Sequence, residues 1–246
     1  MIMVLKLSTF VFKRISKDLV SLAILFVTPL VLITILGFVA DDSFNELLGV
    51  PQKDVVALSM IVAFQLFSGY YTLELMKYDL LKERKWRMKS LPINISYYMF
   101  SIIIVTILYG GLQSFVLTHY TRFLYGVVWG NQLRLIASII VISTMMQVMY
   151  LNISIFIKSS KAMDRVATSI GIGSMLLGGV WFQLPDMNIL NIIGTYLNPY
   201  SLSVNVLLDV MKYQWTFQGS VSLIVLLLVS ISLLVASIIK GRKVFK

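Results

Sequence analysis

Along this chain of 246 residues, polar positions drop out for about twenty residues at a time, and this happens repeatedly. The first such run is LVSLAILFVTPLVLITILGFV at 19–39; others lie at about 55–75, 95–117, 133–157, 166–184 and 219–239. Twenty helical residues at 1.5 Å each match a hydrocarbon layer of roughly 30 Å. The runs are continuous and do not alternate with period two, so helices are expected and barrel strands are not. The expected fold is an all-α integral membrane protein, a single membrane domain over 1–246 with six transmembrane helices.

Two further segments are apolar in a different way. At the N-terminus Val4, Leu7, Val11 and Ile15 recur at helical spacing, with Lys6, Lys13 and Lys17 opposite. A basic amphipathic helix just before a span lies in the membrane interface, which predicts an interfacial helix within 1–18. The stretch 187–211 is moderately apolar but holds Asn188, Asn191, Asn198, Asn205 and Asp209. Such residues are costly at a bilayer centre. The segment 185–212 is therefore expected as outer re-entrant helices before the last span, buried in protein or lining a cavity.

Charge sets the sidedness. Of the 21 Lys and Arg, all but Lys53, Arg122, Arg134 and Lys212 fall in the N-terminal segment, between 77 and 89, between 158 and 165, or after 239. By the positive-inside rule these segments, and with them both termini, are expected in the cytoplasm. The net charge of +10 then faces acidic lipid, and nucleic acid is not needed as a partner.

Several chemistries are excluded or left without support. Cys is absent, which removes disulfides and thiolate metal sites, and there is one His, where catalytic zinc usually takes two or three. No phosphate-binding G-x-x-x-x-G-K-[ST] occurs; the glycine cluster GIGSMLLGG at 171–179 has no Lys and suits close helix packing. Glu74, near Lys77, is expected as a solvated carboxylate at a span end, and His119 as an outer-interface residue. No set of catalytic side chains is visible within the spans, so no catalytic residue, metal ligand or cofactor is expected in this chain.

The most charged stretch is LKERKWRMKSLP at 81–92. As a helix it places Lys82, Lys85 and Lys89 on one face and Leu80, Leu81 and Met88 on another, and pairs Glu83 with Arg87 at i, i+4. Pro92 ends it. The prediction is a short amphipathic rod over 77–90. Trp86 and the arginines favour docking on another protein; the alternative is a basic loop on lipid headgroups with Trp86 as anchor.

From Glu83, ERKWRMKSLPINISYYMFS resembles the segment E-R-E-x-G-T-x-x-x-L-x-x-T-P-[IV] that follows the second span in ABC transporter permeases of type 2; Glu83, Arg84, Leu91, Pro92 and Ile93 match. The Gly-Thr of that pattern is missing, with Trp86 and Arg87 about there. A second likeness is GGVWFQLPDMNILNIIGTYLNPY from 178, carried by Gly178, Gly179, Trp181, Phe182, Pro185, Tyr196, Asn198 and Pro199. The interface helix followed by a span with a central Pro and a closing Gly is the third.

The resemblance implies the membrane-spanning permease subunit of an ATP-driven exporter in a bacterial cell membrane. The rod becomes a cytoplasmic coupling helix, with Lys82, Glu83, Arg84, Lys85, Trp86 and Arg87, joined by Lys161 and Asp164, touching the ATPase. Partners would be two copies of a separate ABC ATPase, which bind ATP and Mg, a second permease chain (the same or a sibling), and the bilayer. Trp181, Phe182, Pro185, Tyr196, Asn198 and Pro199 would form the outer gate. Gln65, Ser68, Tyr70, Tyr71 and Ser174 are candidates to line a pathway, or equally to bond across helix interfaces. A charge-poor interior rich in Phe, Met and Tyr suits hydrophobic or amphipathic cargo, namely antimicrobial or cytolytic peptides or drugs. Peptide-toxin exporters of Gram-positive bacteria are the narrower resemblance. The alternatives are a polysaccharide or lipid-linked glycan exporter, or an ion-driven secondary transporter.

Overall fold

A computed structural model describes residues 2–40, 43–46, 48–80, 84, 86, 90, 95–179 and 192–244. Helix α1 (Ile2–Lys17) is followed by α2 (Leu19–Val39). A two-residue antiparallel pair, β1 (Phe44–Asn45) and β2 (Val50–Pro51), leads into α3 (Gln52–Leu80). Then come α4 (Ile95–Tyr125), α5 (Gln132–Phe156), α6 (Ser160–Leu177), a π-helical turn (Ile193–Leu197), α7 (Pro199–Met211) and α8 (Phe217–Val244).

Among the described residues, five helices are long and apolar enough to cross a membrane: α2, α3, α4, α5 and α8. Six crossings were expected, and the difference falls on the run at 166–184. There the helix is α6, which starts at Ser160, carries Lys161, Asp164 and Arg165 in its first two turns, and stops at Leu177. At 1.5 Å per residue it is about 27 Å long. Residues 180–191 lie outside those described.

Helix α3 is the hub, in contact with α2, α4, α5, α6 and α7. Of its spanning stretch 78% is buried, against 17% for α2 and 22% for α8. The contrast follows from composition. Leu, Ile and Val on α2 and α8 can face lipid, whereas α3 carries Ser59, Gln65, Ser68 and Thr72, each buried against protein. Gln65, Ser68 and Thr72 bond across helices. Gln65 donates to the carbonyl of Gly110 and to Ser114 on α4, while Gln147 on α5 donates to Ser68 (2.9 Å) and accepts from Thr72. In hydrocarbon an unmet polar group is costly, so bonds of this kind fix the register of the three helices.

Helix α1 lies against the bundle as its sequence stripe requires. Val11 and Ile15 are fully buried in a cluster with Tyr98, Met99 and Ile102 of α4. Asp18 separates α1 from α2 and caps the latter, accepting from the backbone N–H of Ser21. The far end of α8 reaches the same end of the molecule: Gly241 abuts Met99, and Lys240 lies over the ring of Phe156. We call this the basic end.

The opposite end is closed by turns. Asn131 caps α5 through the N–H groups of Leu133 and Arg134. Gly130 has φ +63, and a Cβ there would overlap the carbonyl oxygen of Val210, so the 126–131 loop sits directly on the end of α7. Trp129 is buried and donates to Thr121 at 3.0 Å. Asp209, buried, accepts from the backbone N–H (2.7 Å) and the hydroxyl (2.9 Å) of Thr216, closing the turn into α8.

The segment expected as outer re-entrant helices is described from 192. Asn198 caps α7 by accepting from Tyr200 N–H, and Pro199 takes the first helical position, where its missing N–H costs nothing. With 13 residues, α7 is about 20 Å long, too short to cross. It is almost wholly buried: Tyr200 donates to the carbonyl of Ser59 (3.2 Å), and its ring leaves no room for a side chain at Gly178.

Candidate functional site

At the basic end, charges that a single-span view would leave in water are paired inside the protein. Asp79, in the last turn of α3, is fully buried. Its Oδ2 accepts from Arg14 of α1 (2.6 Å) and from the hydroxyl of Tyr98 of α4 (2.6 Å). Arg14 also donates to Tyr98 (3.2 Å). Arg84, on the connection between α3 and α4, stands 3.9 Å from Asp79 Oδ1, an oxygen that accepts no hydrogen bond among the described residues. Arg14 and Arg84 also approach the ring of Tyr78, at 5.9 and 5.2 Å. Burial works against the charge on Arg14, but the hydrogen bond and negative charge of Asp79 outweigh it and hold the guanidinium above its ordinary pKa. One carboxylate thus ties together α1, α3, α4 and the connection after α3.

A second knot lies two residues earlier on α3. Lys77, buried, donates to both oxygens of Asp164 at 2.6 and 2.7 Å. Tyr70 donates to the same carboxylate at 3.2 Å. Glu74, half-exposed, lies 3.6 Å from Lys77. This knot joins α3 to the start of α6. A third contact runs from Tyr71 to Asp18 (3.2 Å), linking α3 to the α1–α2 junction.

Of the residues expected at the ATPase contact, Lys82, Glu83, Lys85 and Arg87 lie outside the described residues. Arg84 is at the Asp79 knot, Trp86 is 76% exposed, Lys161 is exposed, and Asp164 is engaged by Lys77. Among the pathway candidates, Gln65 and Ser68 bond across the α3–α4–α5 seam, while Tyr70 and Tyr71 reach carboxylates at the basic end. Ser174 offers its carbonyl to Asn198 at 2.8 Å, so one pathway candidate and one gate candidate fasten α6 to α7. Pro199 opens α7 and Tyr196 is part-exposed on the π turn. Trp181, Phe182 and Pro185 lie outside the described residues.

Sequence reasoning passed over Asp79, Arg14 and Tyr98. Their separations of 65 and 19 residues leave no local signal. Asp79, close behind Glu74 and Lys77 at the end of a long apolar helix and next to a dense cationic stretch, was the available hint. No group of three or more metal-ligating side chains occurs among the described residues.

What the arrangement can do is mechanical. A load applied to the connection after α3 reaches Asp79 through Arg84, and from there α1 and α4; a load at the start of α6 reaches α3 through Asp164 and Lys77. A family model described as ABC-2 type transporter matches residues 4–212. No curated protein and no solved structure matches the chain.

Proposed function

We infer that this chain, which belongs to the ABC-2 type transporter family and is a multi-pass membrane permease of an ABC transporter, is driven from its basic end by a separate ATP-hydrolysing subunit. The basic end then faces the cytoplasm, as its Lys and Arg content favours. Residues 82–89 and the start of α6, with Lys161 and Asp164, form the contact with two copies of that ATPase. Closure of the ATPases on ATP pushes the 77–90 segment as a unit. The Asp79 knot passes the displacement to α1, α3 and α4, and the Lys77–Asp164 pair passes it to α6.

The observation that carries this reading is that shared set of ion pairs, buried at α3 and reaching every element at the basic end that the sequence assigns to the contact. Movement at the opposite end follows through α6 and α7, which Asn198 and Ser174 connect, with 181–185, Tyr196 and Pro199 as the outer gate. The unit contains a second permease chain, and the cargo is hydrophobic or amphipathic, moved out of a bacterial cell. Polar seam residues such as Gln65 and Ser68 are engaged in helix pairing, which leaves the path to apolar and aromatic surfaces.

The test is co-purification followed by an uncoupling variant. The chain extracted from membranes should bring a subunit bearing a phosphate-binding loop. Trp86→Ala should leave thermal stability within about 0.5 kcal/mol of the parent, as an exposed site allows, while ATP hydrolysis no longer responds to cargo. Normal coupling in Trp86→Ala and in Glu83→Ala, or transport that needs only an ion gradient, would overturn the reading.

A further inference from the structure

Between α1 and the last turns of α3 lies a cavity of about 630 Å³ that the coupling reading does not use. Among the described residues, four cations line it: Lys13, Arg14, Lys17 and Arg84. Two carboxylates, Asp18 and Glu74, offset them only in part. Arg14 pairs with Asp79, outside the lining, and Arg84 stands 3.9 Å from it. The remainder of the wall is amphipathic, with Phe10, Leu75 and the tyrosines 71 and 78.

Its depth is set by the chain. Lys17 ends α1, Asp18 caps α2, and the apolar surface of α2 begins at once with Leu19 and Val20, both 72% exposed. The cavity therefore sits where hydrocarbon gives way to headgroups. One helical turn deeper than Tyr71 on α3, on the same face, stands Phe67, half-exposed among buried neighbours. A cationic recess at interface depth with an exposed aromatic ring above it suits a molecule with a phosphate at one end and an acyl chain at the other. Basic recesses at helix ends are a general means of holding acidic lipid headgroups.

We propose that the cavity between α1 and α3 binds the phosphate headgroup of an acidic phospholipid, with Lys13 and Lys17 as its principal ligands. The phosphate takes the two lysines and Arg84, and Asp18 and Glu74 accept from headgroup hydroxyls, which favours a glycerol headgroup over choline. A bound lipid wedges α1 against α3 beside the Asp79 knot. This goes beyond the coupling reading and stands or falls separately from it.

The full chain in mild detergent, studied by native mass spectrometry, tests the site. Phosphatidylglycerol should be retained and phosphatidylcholine of the same acyl chains should not. Lys13→Gln/Lys17→Gln should weaken phosphatidylglycerol retention by about twenty-five-fold, at roughly fivefold per cation near a charged surface. Both lysines are exposed, so the fold should hold, checked by thermal unfolding. Lys158→Gln/Arg165→Gln removes the same charge from the same end, outside the cavity, and should change retention by less than about threefold. Equal loss in the two double variants, or none in the first, overturns the proposal. So does a thermal shift from glycerol 1-phosphate alone as large as that from the lipid, which would assign the recess to a soluble phosphate ester.

Discussion

The two ends of the bundle are closed by different physics. At the basic end the fastenings are charges: Arg14 with Asp79, Lys77 with Asp164, and Arg84 within 4 Å of the same buried carboxylate. At the other end they are neutral donors, turns and direct contact: Trp129 to Thr121, Gly130 against Val210, and Thr216 folded around Asp209. Ion pairs with one partly exposed member can exchange partners and respond to salt, whereas a backbone pressed on a backbone has a single arrangement. The permease thus concentrates its adjustable joints on the side where a driving subunit is expected to act. The other end is fixed by shape, and motion there has to come through whole helices.

Substitutions can break that contrast in graded steps. The largest effect is expected from Gly130→Ala. Overlap with the Val210 carbonyl and a left-handed φ together should cost about 3 kcal/mol, insensitive to salt. An unchanged unfolding midpoint in detergent would mean that the loop does not rest on α7. Next, Asp79→Asn strands Arg14 without its carboxylate and should cost about 2–3 kcal/mol. Adding Arg14→Gln should recover part of that loss, and strict additivity of the two would show that the pair is not coupled. Asp209→Ala releases the Thr216 turn and should cost about 1–2 kcal/mol, read in the same unfolding assay; no change would mean that this turn is not a fixed joint. Asp164→Asn should be mildest, below about 1 kcal/mol, because the carboxylate is partly exposed. That small loss should shrink further near 1 M salt, where screening acts within roughly 3 Å. A salt-independent loss at Asp164 would blur the distinction between the two ends.

Helix locations were legible because an unbroken apolar run of membrane length is too long for a core strand and too greasy for a solvated helix. The stripe of Val11 and Ile15 was legible as one apolar face, and in the fold it packs against α4. The fifth run is described only as far as Gly179. Lys161, Asp164 and Arg165 belong to the helix, and the end of that run, 180–184, lies outside the described residues. In the 187–211 stretch, Asn198 and Asp209 counted as evidence against a crossing, which α7 is too short to make. Yet both are buried, because each has local backbone to satisfy it: Asn198 at the start of α7, Asp209 at the turn beyond it. The Asn-Pro pair could have been recognised as a helix start on chemistry alone. The Asp79 knot could not, since its meaning lies in which helices meet, and one sequence does not reveal that.

The burial of α3 has a consequence for how the protein is made. Helix α2 meets the membrane as a uniformly greasy cylinder and can settle there as soon as it leaves the ribosome. The next crossing cannot settle so readily: Gln65 awaits Gly110 and Ser114, and Ser68 and Thr72 await Gln147, between 45 and 79 residues further along. Until that stretch has been synthesised, the central helix is a half-finished insertion whose polar side must be sheltered by something else, whether the translocation machinery or a membrane chaperone.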